Sequence, residues 1–224
     1  MPKPIIGIIG RRDKIVSKLD REGNVILYDY MVPLDKEQAS YIGLITNSEY
    51  DLIDENILRL CDGFLMTGGV EIKTYHIKLI NYAIEHNVPF LGICQGAQAL
   101  GLSTLTDTKL LKIDEGYTDI LHEPEMTSRE DLEKLIHTVN LKEASMLREL
   151  FGSSIDVNSN HHYAIPMVNE PMKIVGYASD GVIEAIEHVD PNVFAVGVQW
   201  HPENMESMQP LFKEFVDRAK RRSK

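Results

Sequence analysis

Three runs in this chain are apolar with no polar residue alternating through them: Ile5 to Ile9, Gly63 to Met66 and Val88 to Ile93. A strand with one wet face alternates polar and apolar positions, so unbroken runs of this length mark strands buried on both faces. Such strands belong to a parallel sheet with helices above and below it. Between and beyond the runs, apolar residues recur at helical spacing in Leu52-Ile53, Ile57-Leu58 and Leu60, and again in Ile77, Ile80, Tyr82 and Ile84. The alternation predicts an α/β fold, doubly wound, whose mostly parallel central sheet is flanked by helices.

The second half changes character. From about Asp107 to Lys134 the chain is charged and weakly patterned, which predicts a surface excursion. Order returns with a strand over Ile136 to Leu141 and a helix over Glu143 to Phe151. Strands follow at Ile155 to Asn158, Met172 to Tyr177, Val182 to Glu187 and Val193 to Gln199. These add antiparallel strands in the C-terminal half. Met208, Leu211, Phe212, Phe215 and Val216 then sit at helical spacing and predict a closing helix over Met205 to Arg222. Its basic end, Arg218 to Lys224, suits a helix C-terminus, where cations complement the dipole. With 224 residues, no repeat and no linker-like stretch, the chain reads as a single domain over 1–224.

Composition removes several function classes. A net charge of -11 argues against nucleic acid, whose phosphates call for clustered lysine and arginine. No run is long enough to span a bilayer, and the N-terminal apolar stretch lacks the length and cleavage site of a signal peptide. The chain contains two cysteines, Cys61 and Cys94. A disulfide between them would consume the more interesting thiol, so a reducing, cytoplasmic setting is expected.

That thiol lies in Pro89-Phe90-Leu91-Gly92-Ile93-Cys94-Gln95-Gly96-Ala97-Gln98, where an apolar strand breaks into a helix. A sharp strand-to-helix turn exposes its central side chain, and glycines two positions before and after leave the room such a turn needs. The helix N-terminus also favours the thiolate, the nucleophilic form of cysteine. The competing reading is a buried cysteine in an ordinary strand-to-helix turn. A base is therefore the deciding feature, and Gln199-Trp200-His201-Pro202-Glu203 supplies one after a second apolar strand. His201 can take the thiol proton while Glu203 fixes its tautomer, with Pro202 stiffening the link. Alone, His-Pro-Glu could simply open a helix. In company with the elbow it predicts a catalytic triad of Cys94, His201 and Glu203. Thr67-Gly68-Gly69, just after an apolar strand, can aim a backbone donor at an oxyanion, and the N–H of Gln95 offers a second.

Asn158-Ser159-Asn160-His161-His162-Tyr163 is a dense polar string. Adjacent histidines in an extended segment point to opposite sides, and no cysteine or carboxylate stands nearby at ligand spacing, so the string reads as pocket lining or as a solvated loop, and no metal site is expected. His76, His86, His122, His137 and His188 are isolated and read as surface or packed residues.

Together these motifs resemble the class I glutamine amidotransferase superfamily, and within it the gamma-glutamyl-gamma-aminobutyrate hydrolase-like branch. The resemblance rests on Thr67-Gly68-Gly69, on Leu91 to Gln98, on Val157 to His162, on Ala178 to Glu187 and on Gly197 to Glu203. It implies hydrolysis of the gamma-glutamyl amide bond of a small molecule through a thioester on Cys94. It further implies an oxyanion hole at Gly69 and Gln95, and a pocket lined by Gln98, Ser159, His161 and His162. No cofactor is implied, and the oligomeric state stays open, a homodimer included. Three segments depart from the branch pattern. The long loop after the Gly-Gly turn is reduced to Val70 to Thr74, Leu102-Ser103-Thr104-Leu105 replaces Gly-Gly-Thr-Leu, and Tyr163 stands where a glutamine is usual. Two alternatives remain beside the hydrolase: a glutaminase subunit feeding ammonia to a synthetase, and a binding or regulatory protein that retains the triad.

Overall fold

The computed structural model describes residues 2–15, 21–46, 53–105, 111–112, 120–165 and 167–222. Leu52, Asp107, the Glu115-Gly116 pair and the last two residues of the basic end lie outside them.

In chain order the strands and helices are β1 (Ile5–Ile9), β2 (Arg11–Ile15), β3 (Arg21–Val25), α1 (Met31–Lys36), β4 (Ser40–Leu44), α2 (Glu55–Leu58), β5 (Gly63–Met66), α3 (Thr74–Glu85), β6 (Phe90–Ile93) and α4 (Gln95–Leu102). The second half carries β7 (Leu111–Lys112), β8 (His137–Leu141), α5 (Met146–Phe151), β9 (Ser154–Val157), β10 (Tyr163–Ala164), β11 (Met172–Ala178), β12 (Ile183–His188), β13 (Ala195–Val198) and α6 (Gln209–Arg222). One nine-stranded sheet runs in the order β4-β1-β5-β6-β13-β12-β11-β8-β9. Its first five strands pair in parallel, and from β13 onward every pairing is antiparallel. The three apolar runs are its parallel centre, as their unbroken burial requires.

Apolar side chains cover both faces of the sheet. On one side Phe212, Phe215 and Val216 of α6 join Trp200, Leu65 and Leu91. On the other, Leu79, Ile80 and Ala83 of α3 and Leu100 of α4 pack over Phe64, Met66 and Phe90. Burial of this kind stabilises by about 25 cal/mol per Å² of apolar surface and is what fixes the layers.

Several expectations shift. The helix read over 52–60 contracts to one turn at Glu55–Leu58, capped by the Asp54 carboxylate, which accepts the Asn56 N–H at 2.8 Å. The residues α3 buries are Tyr75, His76, Leu79, Ile80, Tyr82 and Ala83, with Ile77 and Ile84 only partly covered. The closing helix begins at Gln209, because Pro202–Asn204 and Glu206–Met208 form separate 3-10 turns. Its Arg222 reaches back to the His86 carbonyl at 2.8 Å, closing the end of α3. The β2–β3 hairpin carries no apolar alternation and gave no sequence signal. In the charged excursion, residues 120–134 are not purely surface: His122 and Asp131 are buried there. The Asp131 carboxylate accepts the N–H groups of Thr127 and Ser128, each at 2.7 Å, and Asn158 Nδ2 donates to the Leu132 carbonyl. No helix among the described residues is long and apolar enough to cross a membrane.

Candidate active site

Strand register brings the two chemical motifs together. β6 and β13 are parallel neighbours with Gly92 opposite Gly197 and Ile93 opposite Val198, so each strand ends beside the other's continuation. Cys94 follows one strand and Gln199-Trp200-His201 follows the other. The Cys94 N–H donates to the Val198 carbonyl at 2.8 Å, which locks the turn. Cys94 itself adopts φ 52° and ψ -104°, a conformation that non-glycine residues avoid and that costs about 1–3 kcal/mol where it is held. Both flanking glycines are required. A Cβ at Gly92 would stand 2.5 Å from the Gly96 carbonyl, and one at Gly96 would stand 2.4 Å from the Met66 carbonyl.

His201 faces this thiol. Its Nδ1–H donates to Glu203 Oε1 at 2.7 Å, leaving the other ring nitrogen for the sulfur. Burial works against a charged imidazole here, but the Glu203 carboxylate and the Cys94 thiolate outweigh it, so His201 holds its proton well above the ordinary imidazole range. Asn158 clamps the His201 backbone from both sides, accepting its N–H and donating to its carbonyl, each at 2.9 Å. Gln199 Nε2 lies 3.6 Å from the Cys94 sulfur.

The Gly68-Gly69 turn lies against the same thiol. The Gly68 N–H donates to the Tyr30 hydroxyl at 3.0 Å, and the Tyr30 phenol is pushed well above its usual pKa by burial and by the nearby Glu203 carboxylate. The N–H groups of Gly69 and Gln95 have no partner among the described residues. A Cβ at Gly69 would meet Gln95 Oε1 at 2.3 Å, so the two donor segments touch. Tyr30 and Asn158 are the residues that sequence reading missed. Asn158 stood inside a matched string, whereas Tyr30 belongs to no motif.

A cavity of about 620 Å³ opens over Cys94, His201 and Glu203. Gln98, His161 and His162 line it, and so does Tyr163. Ser159 does not. It is buried and its hydroxyl donates to the His122 carbonyl at 2.7 Å, so it belongs to the support behind the wall. Gln98 is held by the Tyr163 carbonyl, which accepts its Nε2–H at 2.7 Å. Where the loop after Gly69 is short, Arg11 of the β2–β3 hairpin and Leu27, Asp29 and Tyr30 wall the cavity instead.

Behind that wall is a second polar centre. His161 turns inward and is buried, while His162 turns outward and pairs with Glu123 at 2.8 Å. The missing carboxylates come from elsewhere in the chain: Glu184 on β12 and Asp180 in the turn before it. His122 and His137 are therefore not isolated. Glu184 Oε1 lies 3.4 Å from His122 Nδ1, 3.4 Å from His161 Nε2 and 3.3 Å from His137 Nε2. Burial opposes ionisation of Glu184, yet the surrounding histidines hold its carboxyl below the usual range, and Glu184 with Asp180 in turn raises His122 against the effect of burial.

Residues 72–203 match the model of the family described as Peptidase C26. Among curated relatives, Rv2859c of Mycobacterium tuberculosis, named provisionally as a glutamine amidotransferase, is 35% identical over 147 residues, covering 65% of this chain and 45% of that protein. The CTP synthase of Staphylococcus epidermidis is 27% identical over 250 residues, covering 97% of this chain and 45% of that one. The chain thus spans less than half the length of these two relatives. Among solved structures, the glutaminase domain of Trypanosoma brucei CTP synthase, with bound acivicin, superposes with a TM-score of 0.64 at 15% identity, over 98% of this chain and 94% of that one. The chain belongs to the Peptidase C26 family, within the class I glutamine amidotransferase-like superfamily.

Proposed function

We propose that this protein is a cysteine hydrolase that cleaves the gamma-glutamyl amide bond of a small molecule. The observation that carries the reading is the strained Cys94 turn facing an imidazole whose far nitrogen is held by Glu203 at 2.7 Å. The Cys94 thiolate attacks the amide carbon, and the oxyanion that forms is received by the N–H groups of Gly69 and Gln95. His201 gives its proton to the leaving amine as the C–N bond breaks, and a thioester remains. His201 then takes a proton from water, the hydroxide attacks the thioester, and Cys94 leaves as thiolate with glutamate as the product. Gln98, His161 and His162 line the substrate space, and Arg11, paired with Asp13 at 3.0 Å, adds a cation to its wall. No cofactor enters these steps. The setting is a reducing cytoplasm, and neither nucleic acid nor membrane is a partner.

A second reading is favoured by the CTP synthase similarity, which covers nearly all of this chain but less than half of that protein. In it, the chain releases ammonia from glutamine for a synthetase. Incubation with glutamine and a panel of gamma-glutamyl amines, with free glutamate as the readout, separates the two. Turnover of one amide by the chain alone supports the hydrolase, and turnover of glutamine only in the presence of a synthetase supports the second reading. No turnover of any substrate and no adduct on Cys94 with a glutamine-mimicking electrophile would remove both.

A further inference from the structure

The cluster behind the cavity wall has a feature that packing alone does not explain. His122 Nε2–H donates to Asp180 Oδ2 at 2.9 Å, and His161 Nδ1–H donates to the Tyr163 carbonyl at 3.2 Å. Both partners accept only, so each neutral ring carries its lone pair on its other nitrogen. Those two nitrogens, His122 Nδ1 and His161 Nε2, face each other at 3.2 Å. The third group, Glu184 Oε1, is 3.4 Å from each. With both rings neutral, three acceptors converge in a site where Glu184 is fully buried and neither of its oxygens has a well-aligned donor among the described residues.

We propose that His122, His161 and Glu184 bind a divalent transition-metal ion, with zinc the best chemical match. Zinc takes nitrogen and oxygen ligands at about 2.0–2.1 Å, and tetrahedral neighbours at that radius stand about 3.3–3.4 Å apart. The three ligand atoms already have that spacing. The remaining features fit as well: a ligating imidazole is characteristically fixed through its other nitrogen by a carboxylate or a backbone carbonyl, the roles Asp180 and the Tyr163 carbonyl have here. His137 Nε2, 3.3 Å from Glu184 Oε1, stands next to the ligand set. The ion joins three segments distant in sequence: the 120–123 stretch, the loop before β10 and strand β12. Two of them form or support the cavity wall. It is a clamp on that wall.

The test is metal binding to the folded full chain after treatment with a chelator. Zinc and cobalt are titrated into wild type, Cys94→Ala and Glu184→Gln, followed by metal content, cobalt visible absorption and thermal melting. The expected result is one equivalent bound by wild type and by Cys94→Ala with a rise in Tm, and loss of that equivalent in Glu184→Gln. X-ray absorption of zinc-loaded wild type covers the case in which Glu184→Gln does not fold. It should show nitrogen and oxygen neighbours with imidazole scattering, and no sulfur at the ~2.3 Å of a thiolate ligand. Three results overturn the proposal: folded wild type that takes up no stoichiometric ion, binding retained in folded Glu184→Gln, or a sulfur neighbour that places the ion on Cys94. The first would leave a proton on His122 as the group that holds the three acceptors together.

Discussion

Two imidazole–carboxylate centres lie close to one cavity, and they are assembled in opposite ways. His201 and Glu203 are two residues apart, follow a single strand, and present the free face of the ring to a thiol and to open space. His122, His161 and Glu184 come from three separate segments, are sealed from solvent, and face one another. The first arrangement leaves one nitrogen available for proton transfer. In the second, His122 Nδ1, His161 Nε2 and Glu184 Oε1 face one another within 3.4 Å. Burying an imidazole beside a carboxylate is therefore not itself a mark of catalysis; what the second nitrogen faces decides the use.

The sharpest break in this comparison is loss of the thiol. Cys94→Ala should reduce glutamate release by about 10³-fold or more while leaving the melting temperature close to that of wild type, because removing a nucleophile removes the covalent path. His201→Gln should cost about 10²–10⁴-fold, the range of a lost general acid–base. A variant of the buried cluster such as His137→Gln should instead lower stability and leave kcat within a few-fold, and a reversal of these two patterns would mean that the roles of the two centres have been exchanged.

Backbone geometry gives the next effect. Gly96→Ala forces a Cβ against the Met66 carbonyl, and chemical denaturation should show a loss of about 3 kcal/mol or failure to fold, the upper part of the range for overpacking. Gly181→Ala tests the contrast, since the position has open space and only its φ of 90° opposes a side chain; its loss should be about 1–2 kcal/mol.

The pH dependence sharpens the comparison further. His201 has a folded-state pKa above the ~6.5 of the free imidazole, so the stability drawn from its charged form is complete below about pH 6.5 and fades as pH rises through the folded value. Glu203→Gln removes much of that term. The stability gap between wild type and Glu203→Gln should be about 1–3 kcal/mol near pH 6 and shrink in alkali; a gap that widens with pH contradicts the pairing. The smallest effect is expected from Tyr30→Phe, which deprives the Gly68 N–H of its acceptor and should cost about 1 kcal/mol in stability, with a modest drop in kcat as the Gly68-Gly69 turn loosens.

Legibility in the sequence followed the same divide. The parallel centre of the sheet was readable because β1, β5 and β6 are unbroken apolar runs. Cys94, Gly92, Gly96, His201 and Glu203 were readable because each motif is local and its chemistry depends on spacing. The β2–β3 hairpin was not, since a charged ribbon on the surface needs no apolar alternation. Nor was Tyr30, whose position beside Gly68 and Glu203 arises only when α1 packs against the sheet. Ser159 was misplaced because a polar string does not reveal which of its members turns inward. The histidine cluster is not legible because His161-His162 has no carboxylate close in sequence and His122 and His137 stand alone, whereas β12 carries Glu184 to them from 23 residues beyond His161. Proximity created by antiparallel pairing of β12 with β11 and β13 has no period for a sequence to display.

The most direct measurement is intact-mass analysis of the protein treated with acivicin or another glutamine-mimicking electrophile, with and without a competing gamma-glutamyl amide. The account predicts a single adduct mapped to the Cys94 peptide, slowed by the competitor and by His201→Gln. An adduct on Cys61, or none on Cys94 at any concentration, would contradict it.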